Sequence, residues 1–151
     1  MPIYRQVKRP MQLTTHTDYA LRLLIYLALP EDPAPATVQT VALAYGISAN
    51  HVAKVAQTLV QTGHIKSVRG RGGGLTLARP PREIGVGEVV RETENLRLLE
   101  CFGPASRCPI DPACKLKKAL GQAQEAFLSE LDRYTLADLV DNGNELTRLL
   151  R

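Results

Sequence analysis

The stretch from Thr37 to Gly63 constrains the fold more than any other. Thr37 is a good N-cap residue and Gly46 a good terminator, so a short helix lies between them. Ser48 opens a second helix, which Gly63 closes, and Ile47 packs inward at the turn. A short helix, a glycine turn and a Ser-capped second helix form a helix-turn-helix pattern. In the second helix Val52, Val55, Ala56 and Leu59 share one face, which the spacing assigns to the core. Ser48, Ala49, Asn50, His51, Lys54 and Gln57 are left on the outer side, where such residue types meet base edges and phosphates. A helical hairpin with a solvated face would look similar, but the segment that follows argues against it.

That segment alternates like a hairpin. Ile65 and Val68 mark one short strand, and Leu75, Thr76 and Leu77 mark the other. Between them runs Gly70-Arg71-Gly72-Gly73-Gly74, a tip of residues that tolerate positive φ. Arg69 and Arg71 project from it, while Gly72 and Gly73 let backbone approach a phosphate chain or a minor groove. An enzyme phosphate loop would end in Gly-Lys-Ser/Thr and open a helix, and this one does neither. The expected fold is mainly α with a small β wing: a winged helix-turn-helix followed by a long helix.

The flanking segments complete that outline. Residues 1–10 have no periodicity and end in proline, which suggests a flexible arm; Arg5, Lys8 and Arg9 there are phosphate contacts or merely solvated. A helix is expected from about Thr17 to Leu29, capped by Thr17 or Asp18, with Leu21, Leu24, Ile25 and Ala28 on one face. Pro30 ends it, and Pro33 and Pro35 keep the next stretch extended. After a connector at 80–85, Val86 to about Glu94 reads as a short helix. A long helix should run from just after Cys114 to about Arg133. Its stripe of Leu116, Leu120, Ala123, Phe127, Leu131 and Tyr134 suits a helix–helix seam, and a dimer seam above all. Thr135 caps a last short helix, and 141–151 reads as a polar tail. This divides the chain into an arm (1–10), a winged helix-turn-helix (11–82) and a cysteine loop with dimerisation helix (83–151).

All three cysteines, Cys101, Cys108 and Cys114, lie in one loop interrupted by Gly103, Pro104, Pro109 and Pro112. The prolines forbid a continuous helix, so the sulfurs are free to converge. An odd count argues against a disulfide framework and for a metal or cluster site. Unconnected buried thiols are the plainer reading, and the clustering speaks against it. Zinc favours Cys-x-x-Cys pairs, which are absent, whereas wide gaps suit an iron–sulfur cluster, [4Fe-4S] or [2Fe-2S]. No histidine lies in the loop, so a fourth ligand must come from elsewhere.

Charge is uneven. Residues 1–82 hold ten Lys/Arg against three Asp/Glu, and residues 83–151 hold nine against twelve. The basic half points to nucleic acid. No apolar run is long enough to span a membrane and no secretory leader is visible, so a cytoplasmic location is expected.

The motifs Met11-Gln-Leu-Thr, Thr17-Asp-Tyr, Ser48-Ala-Asn-His, Val68-Arg-Gly through Gly73-Gly-Leu, Pro112-Ala-Cys-Lys-Leu-Lys-Lys-Ala-Leu and Tyr134-Thr-Leu-Ala-Asp-Leu-Val resemble the Rrf2 family of winged-helix iron–sulfur regulators, and its nitric-oxide-sensing repressors most of all. The resemblance covers nearly everything from Met11 to Val140. It implies a homodimeric repressor of palindromic double-stranded DNA, with nitric oxide as its signal. It also implies a cluster on Cys101, Cys108 and Cys114, with Asp18 of the partner subunit as fourth ligand. Related cluster-biogenesis regulators use a histidine three residues after the last cysteine, where Lys117 stands here. Two features depart from the family pattern: the first cysteine gap is six residues, and Ala49 stands where arginine is common. The alternatives are a sensor of cluster status or oxidative stress in the same fold, a zinc-stapled regulator, and a small redox protein whose basic half binds a protein. No base–nucleophile set suggests an enzyme.

Overall fold

The computed structural model describes residues 11–30 and 35–151; the arm at 1–10 and Pro33 lie outside them. The chain is mainly helical, with one two-stranded antiparallel sheet. Helix α1 (Thr15–Ala28) runs through the middle and packs against the second helix of the helix-turn-helix, the wing and the C-terminal elements. This centrality shifts its buried face from the expected one. Thr17, Ala20, Leu23, Leu24 and Tyr26 are buried, while Leu21, Ile25 and Ala28 are only partly covered. Its cap is also earlier than the sequence suggests. Thr14, in extended backbone, accepts the Thr17 N–H at 3.3 Å, so neither Thr17 nor Asp18 caps the helix.

Helix α2 (Val38–Tyr45) and helix α3 (Ala49–Gln61) begin and end where the local chemistry requires. Thr37 and Thr40 form a reciprocal capping box. Gly46 turns the chain at φ 64°, and the Ile47 N–H reaches back to the Ala42 carbonyl at 2.9 Å. Ser48 Oγ accepts the His51 N–H at 3.3 Å and opens α3. Val52, Val55, Ala56 and Leu59 fill the core against α1 and α2. Ala49, expected outward, is instead partly buried against that core, because the tight turn holds the first residue of α3 close to α2.

Strand β1 (Ile65–Val68) pairs with strand β2 (Gly74–Leu77) in the register Ile65↔Leu77 to Val68↔Gly74. Ile65 and Leu75 anchor the hairpin in the core, and the Leu75 N–H bonds the Ala36 carbonyl at 2.7 Å. Helix α4 (Val86–Thr93) buries Val89 and Val90. Helix α5 (Lys115–Leu131) is the long helix, 17 residues or about 25 Å. Helices α4 and α5 meet closely. Arg91 forks onto Asp132 at 2.5 and 2.9 Å, and a Cβ on Gly87 would lie 2.0 Å from Asp132 Oδ1.

Helix α6 (Leu136–Leu139) starts with a Thr135–Asp138 capping box. The Leu136 N–H to Ile84 carbonyl bond, 2.8 Å, ties it to the connector. The residues read as a polar tail form helix α7 (Gly143–Leu150). Leu150 packs on the core, and Arg151 donates to the Pro30 carbonyl at 2.6 Å while its guanidinium lies over Tyr26. Those partners are more than a hundred residues away, so local periodicity does not reveal them. Among the described residues no helix is long and apolar enough to cross a membrane.

Candidate nucleic-acid interface and cysteine loop

Helix α3 and the wing tip present their polar groups on the outside of the basic half. Ser48, Asn50, Lys54 and Gln57 are exposed, as are Arg69, Arg71 and Gly72. The tip is shaped by backbone. Gly70 and Gly72 have φ of 94° and 72°, and a Cβ on Gly73 would sit 2.2 Å from the Val68 carbonyl. Only glycine fits Gly73 without moving the strand. His51 departs from the expected outward set. Its ring packs edge-on against Tyr19 of α1, with centroids 4.8 Å apart. The Tyr19 partner was not foreseen, because no local periodicity links α1 to the start of α3.

The cysteine loop is irregular apart from two single turns, at Glu100–Phe102 and Asp111–Ala113. Cys101, Cys108 and Cys114 are all reduced and half-buried. Cys114 caps α5: its sulfur accepts the Lys117 N–H at 3.4 Å, at the helix end whose dipole suits negative charge. Asp111 bonds the Lys117 ammonium at 2.6 Å. Hydrogen bonds from Lys117 and Ser106 hold the Asp111 carboxyl below its usual range. The Asp111 bond raises Lys117, and the sulfurs of Cys101 and Cys114 act on it in the same direction. Lys117 thus ties the head of α5 to the loop twice, by its backbone N–H at Cys114 and by its ammonium at Asp111. Upstream of Cys101, Gln124 of α5 donates to the Leu96 carbonyl, so both ends of the loop are fastened to α5.

Asp18 lies in the first turn of α1, in a shallow groove lined by Gln12, Leu13, Thr15 and Leu21. Its carboxylate is forked by Arg22, with Nε–Oδ1 at 3.0 Å and Nη2–Oδ2 at 2.8 Å. The chain leading to the cysteine loop touches the start of the same helix. Glu94 Oε2 accepts from the Thr14 N–H at 2.7 Å and from its hydroxyl at 3.1 Å.

Among the described residues, the set of three potential ligand atoms within 4.8 Å of one another is His64, Glu88 and Glu92. The cysteines do not form so tight a set; a cluster, unlike a single ion, has no need of one. The His64 set is only partly satisfied by protein groups, since the buried His64 Nδ1 has no hydrogen-bond partner among the described residues. His64 Nε2 lies 2.6 Å from Glu92, and Arg79 pairs with Glu88 at 3.0 Å.

With this geometry in hand, comparison with known proteins gives one answer. Residues 13–142 match the family model Rrf2, iron-dependent transcriptional regulator. The chain belongs to the Rrf2 family. It is 48% identical to the HTH-type transcriptional regulator NsrR of Halalkalibacterium halodurans, over 93% of this chain and 98% of that protein. The NsrR of Geobacillus kaustophilus is 46% identical, over 93% and 97%. Among solved structures it is similar to T. potens IscR, at a TM-score of 0.70 and 26% identity over 90% of each chain. Staphylococcus aureus CymR matches at 0.65 and 29%, over 85% of this chain and 97% of that one. The winged helix-turn-helix expected from the sequence is therefore the fold of this transcriptional regulator family.

Proposed function

We propose that this transcriptional regulator is a homodimeric repressor whose grip on palindromic DNA depends on an iron–sulfur cluster that nitric oxide attacks. The observation that carries this is the cysteine loop: three half-buried thiols in one loop fastened to α5, one of them capping that helix. This donor set fits a cluster, because three thiols share one loop and the α5 N-terminus offsets thiolate charge. Cys101, Cys108 and Cys114 are its ligands, and Asp18 of the partner subunit is the fourth. Relatives named NsrR favour nitric oxide over other signals.

A bound cluster supplies iron open to nitric oxide, most readily where a hard carboxylate meets soft thiolate-bound metal. The remaining steps belong to the protein. Asp18 is half-buried at the edge of an open groove that a second chain could reach. Within its own chain the Asp18 carboxylate is held by Arg22, which would compete with any metal for it. The two α3 helices must lie about 34 Å apart to enter successive major grooves, so a subunit arrangement held by Asp18 would bear directly on operator binding. The operator is then released, and genes for nitric oxide defence are expressed. The protein works in the cytoplasm, where thiols stay reduced.

The test is anaerobic purification with iron and sulfide counting, followed by nitric oxide titration on a bound operator duplex. Coloured protein with both elements is expected, and Cys108→Ala should lose them together with specific DNA binding. A colourless wild type with stoichiometric zinc would sink this reading. Asp18→Ala should alter the cluster spectrum and its nitric oxide titration. Wild-type behaviour in both would leave Asp18 with no role as a ligand.

A further inference from the structure

Where the recognition helix meets α1, an aromatic and cationic stack joins them through side chains alone. Tyr19 meets the His51 ring edge-on, at a centroid distance of 4.8 Å and an interplanar angle of 64°. The Arg22 guanidinium lies 5.5 Å from the Tyr19 ring centre and 5.8 Å from that of Tyr45. The Tyr45 hydroxyl donates to the Arg22 carbonyl at 2.8 Å. Burial pushes the Tyr45 phenol up to about 12, so the hydroxyl stays a donor at every physiological pH. Arg22 is therefore fixed at its backbone and placed against two rings. Asp18 holds the same guanidinium through a two-point fork.

His51 occupies the third position of α3. First-turn residues of a recognition helix are the ones that reach base edges. An imidazole offers a donor and an acceptor, but its use in reading bases depends on where the ring plane points. In α3, the exposed Asn50, Lys54 and Gln57 have no side-chain partner of comparable geometry among the contacts described above. His51 alone is stacked from another helix.

We propose that Tyr19 is a positioning residue for sequence reading. It fixes the ring of His51 for a base edge, and Arg22 braces Tyr19 from behind. The inference rests on the DNA-binding part of the reading above, and its test reads DNA binding, not metal content. It assigns specificity to a residue of α1, outside the helix-turn-helix.

The experiment uses full-length protein and two duplexes. One is selected by the wild type from random sequence, and the other is a scramble of the same length and composition. The variants are Tyr19→Phe, Tyr19→Leu, Arg22→Met, His51→Ala and the double Tyr19→Leu/His51→Ala, each checked by thermal unfolding. Tyr19→Leu should lose about tenfold in affinity for the selected duplex and nothing on the scramble. Tyr19→Phe keeps the edge-on ring and should bind like wild type. Arg22→Met should weaken selected binding in the same direction as Tyr19→Leu. The double variant should bind no worse than His51→Ala alone, because Tyr19 acts through His51. Equal losses on both duplexes, or losses that multiply in the double variant, would overturn the proposal. If Tyr19→Leu fails to fold, the Phe variant and His51→Ala decide: a tenfold loss with Phe, or no selective loss with His51→Ala, overturns it as well. A failure of the cluster reading shows instead in metal content and nitric oxide response, which this cycle does not use.

Discussion

Helices α3 and α5 carry the same kind of message in sequence and meet different fates in the fold. Each has apolar residues at helical spacing. In α3 four of 13 residues are buried, because α1, α2 and β1 close over them. In α5 only Leu128 of 17 is buried, and Leu116 and Phe127 remain 59% and 45% exposed. Periodicity tells which face is apolar but not whether the chain itself supplies the cover. The DNA-reading half is complete in one chain, and the cysteine half has an apolar stripe still open to a second.

The largest break in this contrast should come from Leu59→Ala. Leu59 is fully buried, so about 2–5 kcal/mol of stability should be lost in urea unfolding. A loss below about 1 kcal/mol would mean the α3 face is not the core it resembles. Phe127→Glu should leave unfolding of the dilute chain almost unchanged yet yield monomer where the wild type sediments as dimer. A Phe127→Glu dimer would place the seam elsewhere. A smaller effect is expected at the wing. Arg71→Ala should reduce the log–log salt slope of DNA binding by about 0.9, through one lost phosphate contact. An unchanged slope with sequence-selective loss would make Arg71 a base reader.

The smallest effect concerns the tie between the halves. Partial burial pulls Glu94 upward, but hydrogen bonds from Thr14, Thr17 and Asn95 outweigh it and hold its carboxyl below the ordinary 4.5. A depressed carboxyl contributes stability that is whole above 4.5 and fades as pH falls through the lower folded value. Glu94→Gln should therefore flatten the acid limb of a melting-temperature profile and lower its neutral plateau slightly. An acid limb identical to wild type would remove Glu94 from the tie.

Legibility followed the range of the interactions. Thr37, Gly46, Ser48 and Gly63 act on neighbours within four residues, so both helices of the motif could be bounded from sequence. The glycine tip was legible for the same reason. The buried face of α1 was not, since elements as far as α6, more than a hundred residues away, decide it. Helix α7 was missed because its anchors, Pro30 and Tyr26, are equally remote. At the site, the cysteines were plain in the sequence. The Asp111–Lys117 lock, the Glu94 tie and the Tyr19–His51 stack needed three dimensions. His51 was picked out by residue type as a base reader, whereas its partner lay outside the motif being read.

The near-contact of Gly87 with Asp132 also has a mechanical meaning. With the Arg91 fork it ties one end of α5 to α4, a natural pivot, while Cys114 caps the other end, about 25 Å away. A swing of only ~10° about that pivot carries the cysteine end roughly 4 Å. Gln124, clasped to the Leu96 carbonyl partway along, is the stay that resists the swing. Driven from the loop, the same lever works in reverse: a shift of roughly 4 Å at Cys114 turns α5 by only ~10° against α4.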